Sequence, residues 1–513
     1  MSDVSLAERV ATAPMDPDEF AARVEADAAA LKAALADGSF DNPQSIVGLE
    51  YEFYGVDPET AALRRIPRQL LEYIGFEGEL GLHNAEMQTS PQPCNRFGLR
   101  CQESEVQARL DAAQRRAEMA GIRLVSDGFF TVPPTGEQTH EYLDGWVEDD
   151  GVRLATNMSK SVRYHAMTNA PYDCDRRIET PHVTLESETV LPESLTTSIQ
   201  PHYQVPHAED LPTYHRYAIR LAGPLLALGV NSPFFPPDLY DEDATDPASD
   251  LAHRVLADGW AENRIPVFEG IFNPADDREG KVRFPRDVET VDAAADRLVT
   301  DPAIVPMSVD PTGRFDDQFA HLRHKHGSYW RWIRPVFDGA TPSAANARLE
   351  FRPIAAQPTV RDSVAFLATF AGLMESCFHF EHPIEALPWD LARENFYAAM
   401  RDGLNADLHW ITANGDSTTD TERLFAELFE AAKEGLELRD VPSPTADRYL
   451  RPLVGRVRHG VTPAEWKREQ VRERVEAGHS LAEAIEGMQR AYVDRQAETL
   501  LTGTFLEWLP EGN

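Results

Sequence analysis

The chain has 513 residues, with 49 Lys and Arg against 85 Asp and Glu, for a formal net charge of −36. Its 42% hydrophobic content is enough for a full core, so disorder is not the default. The acid is spread along the chain, which reads as the solvated surface of a protein from a high-salt cytoplasm and disfavours nucleic-acid binding, because phosphate contacts need clustered Lys and Arg.

The first twenty residues are acidic and lack the apolar core of a signal peptide. Residues 1–40 read as an acidic, alanine-rich helical arm. "VGLEYEFYGV" (47–56) is the heart of an opening strand, 46–56, whose alternation sets Glu50 and Glu52 on one face and Leu49, Tyr51 and Phe53 on the other. "HNAEMQTSPQPC" (83–94) predicts a second strand ended by prolines. Val106, Leu110, Ala113 and Ala117 recur at helical spacing over 102–120, and "GIRLVSDGFF" (121–130) returns as a strand.

Residues 135–180 read as polar and irregular, and 182–205 as a hairpin or two strands. Residues 213–230 predict a helix kinked at a proline. Residues 236–250 and 274–302 read as acidic loops or insertions. "ARLEFRPIAAQ" (347–357) is a strand, 361–378 a buried helix, and the chain from 390 on is mostly helical, ending in a helix marked by Leu481, Ile485, Met488 and Tyr492. The pattern is α+β with mainly antiparallel strands. The longest uncharged stretch, Leu221 to Pro237, carries four prolines, so no membrane span is expected. Cys94, Cys101, Cys174 and Cys377 form no CxxC pair, which fits a reducing cytoplasm.

The chemistry lies on the strands. Two neighbouring carboxylates on one strand face repel, so either the face is wet or something positive sits on it. Glu86 falls on the second strand, and Glu350 and Arg352 share a face of a later one. Hard divalent ions such as Mg²⁺ take oxygen ligands, and an arginine beside them suits a phosphoryl group or a carboxylate. "SIQPHYQV" sets Gln200, His202 and Gln204 on one strand face, and "GVNSPFF" offers Asn231 and Ser232 at a turn. Each has a plain structural reading too: an exposed strand face for Glu50 and Glu52, a bonded core histidine for His202, a helix cap for Asn231. In "HLRHKHGSYWRWIRP", His321 and His324 have a helical spacing that zinc uses, without a partner in register, and Arg331 and Arg334 suit a carboxylate. Lys281 and Arg283 stand out in a Lys-poor chain, with a surface role favoured over phosphate binding. No GxxxxGK[ST] and no GxSxG is present.

In order, "VGLEYEFYGVDPET", "AEMQTSPQPC", "SIQPHYQV…LALGVNSPFF", "RLEFRPIAAQPT" and "ARENFYAAMRDGLNADL" resemble the carboxylate–amine ligases of the glutamate–cysteine ligase family, over about residues 46 to 410. The resemblance implies a glutamine-synthetase-like fold, a curved and mainly antiparallel sheet packed by helices. The division is then an N-terminal arm (1–40), a ligase domain with acidic insertions (41–390) and a helical C-terminal region packed on it (391–513). It implies ATP and Mg²⁺ as cofactors, and glutamate with cysteine or another amine as small-molecule substrates, joined through an acyl phosphate. Carried over, Glu50, Glu52, Glu86 and Glu350 are metal ligands, Arg352 contacts the transferring phosphoryl group, and His202 and Gln200 lie near metal or substrate, with Asn231 and Ser232 beside the nucleotide. A ligase or kinase for another carboxylate and amine, and a non-catalytic relative that binds a nucleotide or amino acid, are the alternatives. A homo-oligomer is left open.

Overall fold

The computed structural model describes residues 4–170, 176–241, 248–273, 280–301, 303–328 and 330–510; Cys174 lies outside them. Its centre is the strand β1, Ile46–Val56, where Val47, Leu49, Tyr51 and Phe53 are buried and Glu50 and Glu52 are half-buried on the other face. β1 pairs antiparallel with β2 (Asn84–Gln88), with β3 (Gln92–Pro93) and β4 (Arg123–Val125) at its two ends, and with β5 (Ile199–Gln204) along its other edge. Beyond β5 come β7 (Asn346–Phe351) and then β6 (Ile333–Asp338), completing a seven-stranded antiparallel sheet. The expected α+β class, with an antiparallel sheet packed by helices, is what the structure has.

Helix Val360–His379 packs on the apolar face of this sheet, with the Phe351 and Phe370 rings 4.6 Å apart. Helix Thr421–Leu438 lies against that helix so closely that a Cβ on Gly435 would sit 1.8 Å from the Gly372 carbonyl oxygen, a contact only glycine permits. Helix Leu211–Gly229 runs through Pro224 as expected, buried along almost its whole length. Ile485, Met488 and Tyr492 are fully buried on helix Leu481–Thr499. One continuous hydrophobic core extends from Ala7 to Trp508.

Several sequence expectations are corrected. The N-terminal stretch is helical as expected, and it is packed: helix Pro17–Ala36 buries Phe20, Val24, Ala28 and Leu31 against helices Val291–Thr300 and Ala320–His326. Part of 274–302, read as a loop, is the helix Val291–Thr300, capped by Thr290 Oγ1, which accepts from Ala293 N at 3.0 Å. Part of 236–250 belongs to helix Ala248–Asp258. Within the region read as irregular are helices Thr139–Asp144 and Val162–Asn169 and the hairpin Trp146–Asp149/Val152–Ala155. That hairpin turns on Asp150 and Gly151, both at positive φ (50° and 78°), the Asp-Gly signature of a tight turn. The stretch 182–205 does hold two strands, but they do not pair: Val183–Glu186 pairs with Arg177–Thr180, while β5 enters the main sheet. Residues 121–130 form only the short β4.

His83, at the foot of β2, is fully buried between the Tyr142 hydroxyl (2.8 Å) and the Ser194 carbonyl (2.9 Å). Burial pushes it down to about 4. The unfolded chain binds the proton more readily, so this stability is full above pH 6.5 and is lost as pH falls through 4. Urea denaturation at pH 7 and pH 4.5 should show His83→Gln losing less stability on acidification than the parent, by on the order of 3 kcal/mol. Equal losses would rule His83 out as an acid trigger.

Candidate active site

The strand register assembles the polar face. Glu52 lies opposite Glu86 across β1 and β2, and Glu50 lies between Gln88 and Gln200. His202 lies between Gly48 and Glu350, and Arg334 lies opposite Glu350 across β6 and β7. Period-two alternation therefore gathers residues more than 300 positions apart onto one face.

Two cavities open on this face, and both are lined by Glu50 and Gln88. The first, about 190 Å³, is lined by carboxylates from Glu50, Glu52, Glu77, Glu79, Glu86 and Glu193, with Arg163, Arg334 and Arg352 at its edges. The second, about 200 Å³, is lined by His202, Gln204, Asp338, Asn346 and Arg348.

Within the first cavity, Glu52 accepts from Gln200 Nε2 at 2.9 Å and from the Ser198 amide at 2.6 Å. Burial, with Glu79 next to it, pushes Glu52 up to about 7. Burial and then the charges of Glu52 and Glu79 push Glu193 up to about 8, and burial, Glu79 and Glu50 drive Glu86 well above the usual range. Glu350 goes the other way. Burial raises it, but the Arg334 and Arg352 guanidiniums outweigh burial and hold it well below the usual range. Arg334 grips it with two bonds, 2.9 and 3.1 Å, and Arg352 bonds it while also donating to Gln200 Oε1 at 2.6 Å.

These donors fit a hard divalent cation: packed carboxylate oxygens whose mutual repulsion a positive ion would relieve. Glu50, His202 and Glu350 bring one ligand atom each within 4.8 Å of one another, the one such group among the described residues. His202 fits least well as a ligand. Arg348 Nε donates to its Nδ1 at 3.1 Å, so the neutral ring carries its proton on Nε2, which faces Glu50 at 3.3 Å. In that tautomer the Nε2–H faces the carboxylate without a hydrogen bond to it, and the cation is left to oxygen ligands.

Of the residues singled out from sequence, Glu50, Glu52, Glu86, Gln200, His202, Glu350 and Arg352 meet on this face. Asn231 and Ser232 line neither cavity. They are fully buried, with Asn231 donating to the Ala356 carbonyl (2.7 Å) and Tyr492 hydroxyl (3.1 Å), and Ser232 bonded to Glu262. Arg334 does hold a carboxylate, that of Glu350, and Arg331 holds Asp301 at 2.7 Å. Lys281 is buried rather than at the surface, and burial brings it down to about 7. His321 and His324 stand edge-on to Phe20, with His321 3.6 Å from Asp27, and belong to no metal-ligand group among the described residues.

Sequence reading missed Glu193, Glu77 and Arg264, and left Glu79, near Glu86 in the chain, open between the site and an exposed loop. Glu193 sits in the 3₁₀ turn Leu191–Leu195, where no alternation marks it. Glu77 is brought in by a backbone bridge to Glu86, bonded both ways at 2.9 Å. Glu79 accepts from the Tyr164 hydroxyl at 2.9 Å. Arg264 is buried over the Trp332 ring and donates to the Arg352 carbonyl at 3.1 Å, buttressing that strand end.

No curated protein matches this sequence. Three solved structures are similar in outline. The glutamate–cysteine ligase of Francisella tularensis, in complex with AMP, is 12% identical and covers 90% of this chain and 94% of its own, with a TM-score of 0.45. A bifunctional glutathione synthetase from Pasteurella multocida is 12% identical over 92% of this chain and 55% of its own, TM-score 0.47. The ligase PafA, in complex with the prokaryotic ubiquitin-like protein Pup, is 11% identical over 86% and 71%, TM-score 0.36. Sequence, rather than these likenesses, decides the matter: residues 46–498 match glutamate-cysteine ligase family 2, GCS2, and the chain belongs to that family of amide-forming ligases.

Proposed function

We propose that this ATP-dependent carboxylate–amine ligase joins the γ-carboxylate of glutamate to cysteine, or to a closely related amine, with Mg²⁺ held by Glu50, Glu52 and Glu86 and bordered by Glu350. The carboxylate-lined cavity flanked by Arg334 and Arg352 carries this reading. Bound Mg²⁺ would neutralise the phosphates and the carboxylates that must approach one another. Arg352 reaches the same cavity and is poised to hold the transferring phosphoryl group, with Gln200 fixing its guanidinium. Glu50 lines both cavities, with His202 Nε2 3.3 Å away. A phosphoryl group delivered from one side and a carboxylate presented from the other would meet beside Glu50. In that reaction the γ-carboxylate oxygen attacks the terminal phosphorus and ADP leaves; the amine nitrogen then attacks the acyl carbon and phosphate leaves.

The test is ADP release with ATP, Mg²⁺ and glutamate, with and without cysteine, and mass identification of the product. Cysteine-dependent release yielding γ-glutamylcysteine is the expected result. Release that needs glutamate and ignores cysteine would replace the acceptor. Absence of turnover with every amine would favour a non-catalytic binding protein.

A further inference from the structure

A third cavity, of about 330 Å³, shares no lining residue with the two at Glu50. Four separate elements build it: Glu103 comes from helix Arg96–Glu118, Arg361 from the first turn of helix Val360–His379, Arg448 and Arg451 from helix Ser443–His459, and Thr504 and Glu507 from the segment at turn Phe505–Trp508. Three guanidiniums around one pocket are out of keeping with a chain of net charge −36.

The carboxylates do not use them up. Glu103, buried at the pocket, accepts from Arg448 at 2.6 and 2.8 Å. Arg361 pairs more loosely with the same carboxylate: its Nε stands 3.6 Å away, beyond hydrogen-bond length and without another acceptor, while its side chain is 40% exposed at the pocket. The Glu507 carboxylate turns to cap its own chain, accepting from the Thr504 amide at 2.9 Å. Arg451 is exposed at the rim. The exposed part of the Arg361 guanidinium still has donors to offer, and an incoming oxyanion would accept from them.

We propose that this cavity is a second, non-catalytic site that binds a small multivalent oxyanion, a phosphate- or carboxylate-bearing metabolite, through Arg361, Arg448 and Arg451. Glu103 is the built-in counter-charge when the ligand is absent, with Arg448 Nη2 donating to both of its carboxylate oxygens, as it would to an oxyanion.

Calorimetric titration of the full chain in metal-free buffer at fixed ionic strength tests this, with pyrophosphate as one probe and citrate as the other. Saturable binding of at least one probe is expected, weakened at least tenfold in the double variant Arg361→Gln, Arg451→Gln. Binding of pyrophosphate alone assigns the site to phosphates; binding of citrate alone assigns it to carboxylates. The proposal fails if neither probe saturates the parent protein, or if the double variant, shown folded by unchanged ligase turnover, binds as tightly as the parent.

Discussion

Glu50→Gln is expected to fold as the parent does and to lose ligase kcat/KM by roughly two to three orders of magnitude, the scale of several kcal/mol of charge stabilisation. Among the described residues Glu50 has no arginine within ion-pair distance: His202 stands 3.3 Å away, and Arg348 and Arg352 attract it only from farther off. Removing one charge from a crowd of carboxylates relieves repulsion that offsets the lost attraction to Arg348 and Arg352, so the fold should lose little. Glu350→Gln should behave differently, although both residues read alike in sequence. Glu350 balances two guanidiniums that are only 13% and 15% exposed, and its loss takes their shared carboxylate from both. Breaking such a pair costs about 3–5 kcal/mol, so this variant should lose stability as well as turnover. Urea denaturation alongside kcat/KM separates the two. Near-parent turnover in Glu50→Gln would remove it from the metal-binding set, and parent-like stability in Glu350→Gln would show that the arginine pair is not held by that carboxylate.

The opening strand was legible because one face is buried and the other is not: period two alone placed Glu50 and Glu52 together, and β1 has that burial pattern. The rest of the glutamate face needed pairing partners, and register is a long-range property. Nothing near Glu86 in the chain says that it will sit opposite Glu52, yet the resemblance to a ligase family brought it in. Glu193 stayed hidden because a 3₁₀ turn has no alternation to read. Asn231 was marked by the same motif logic and instead spends its amide inside the core, on Ala356 and Tyr492. The hairpin at Asp150-Gly151 was readable in principle, since both residues favour positive φ, but an acidic, polar stretch masked the turn signal. Composition misled at 291–300 as well. There the capping Thr290 and the apolar Ala294, Ala295 and Leu298 outweigh the surrounding acid once helix Pro17–Ala36 offers a surface to bury them.

The attachment of the C-terminal helices carries the second large effect. Lys467, 1% exposed on helix Pro463–Glu476, bonds Asp127 just past β4 and donates to the Asn231 carbonyl at 2.8 Å. Asp127 also accepts from Gln489 Nε2 at 2.8 Å, on helix Leu481–Thr499. One ion pair thus ties two C-terminal helices to the end of β4 and to the turn that follows helix Leu211–Gly229. Lys467→Met deletes the cation and leaves Asp127 buried with amide donors alone. The expected loss is about 3–5 kcal/mol, read as a fall in Tm and in the urea midpoint. The double variant Asp127→Asn, Lys467→Met should recover much of that loss, because the uncompensated charge, rather than the missing bond, is the main cost. If the double variant is as unstable as Lys467→Met, the damage lies in packing around the lysine stem, and the pair is not what fastens these helices to the sheet.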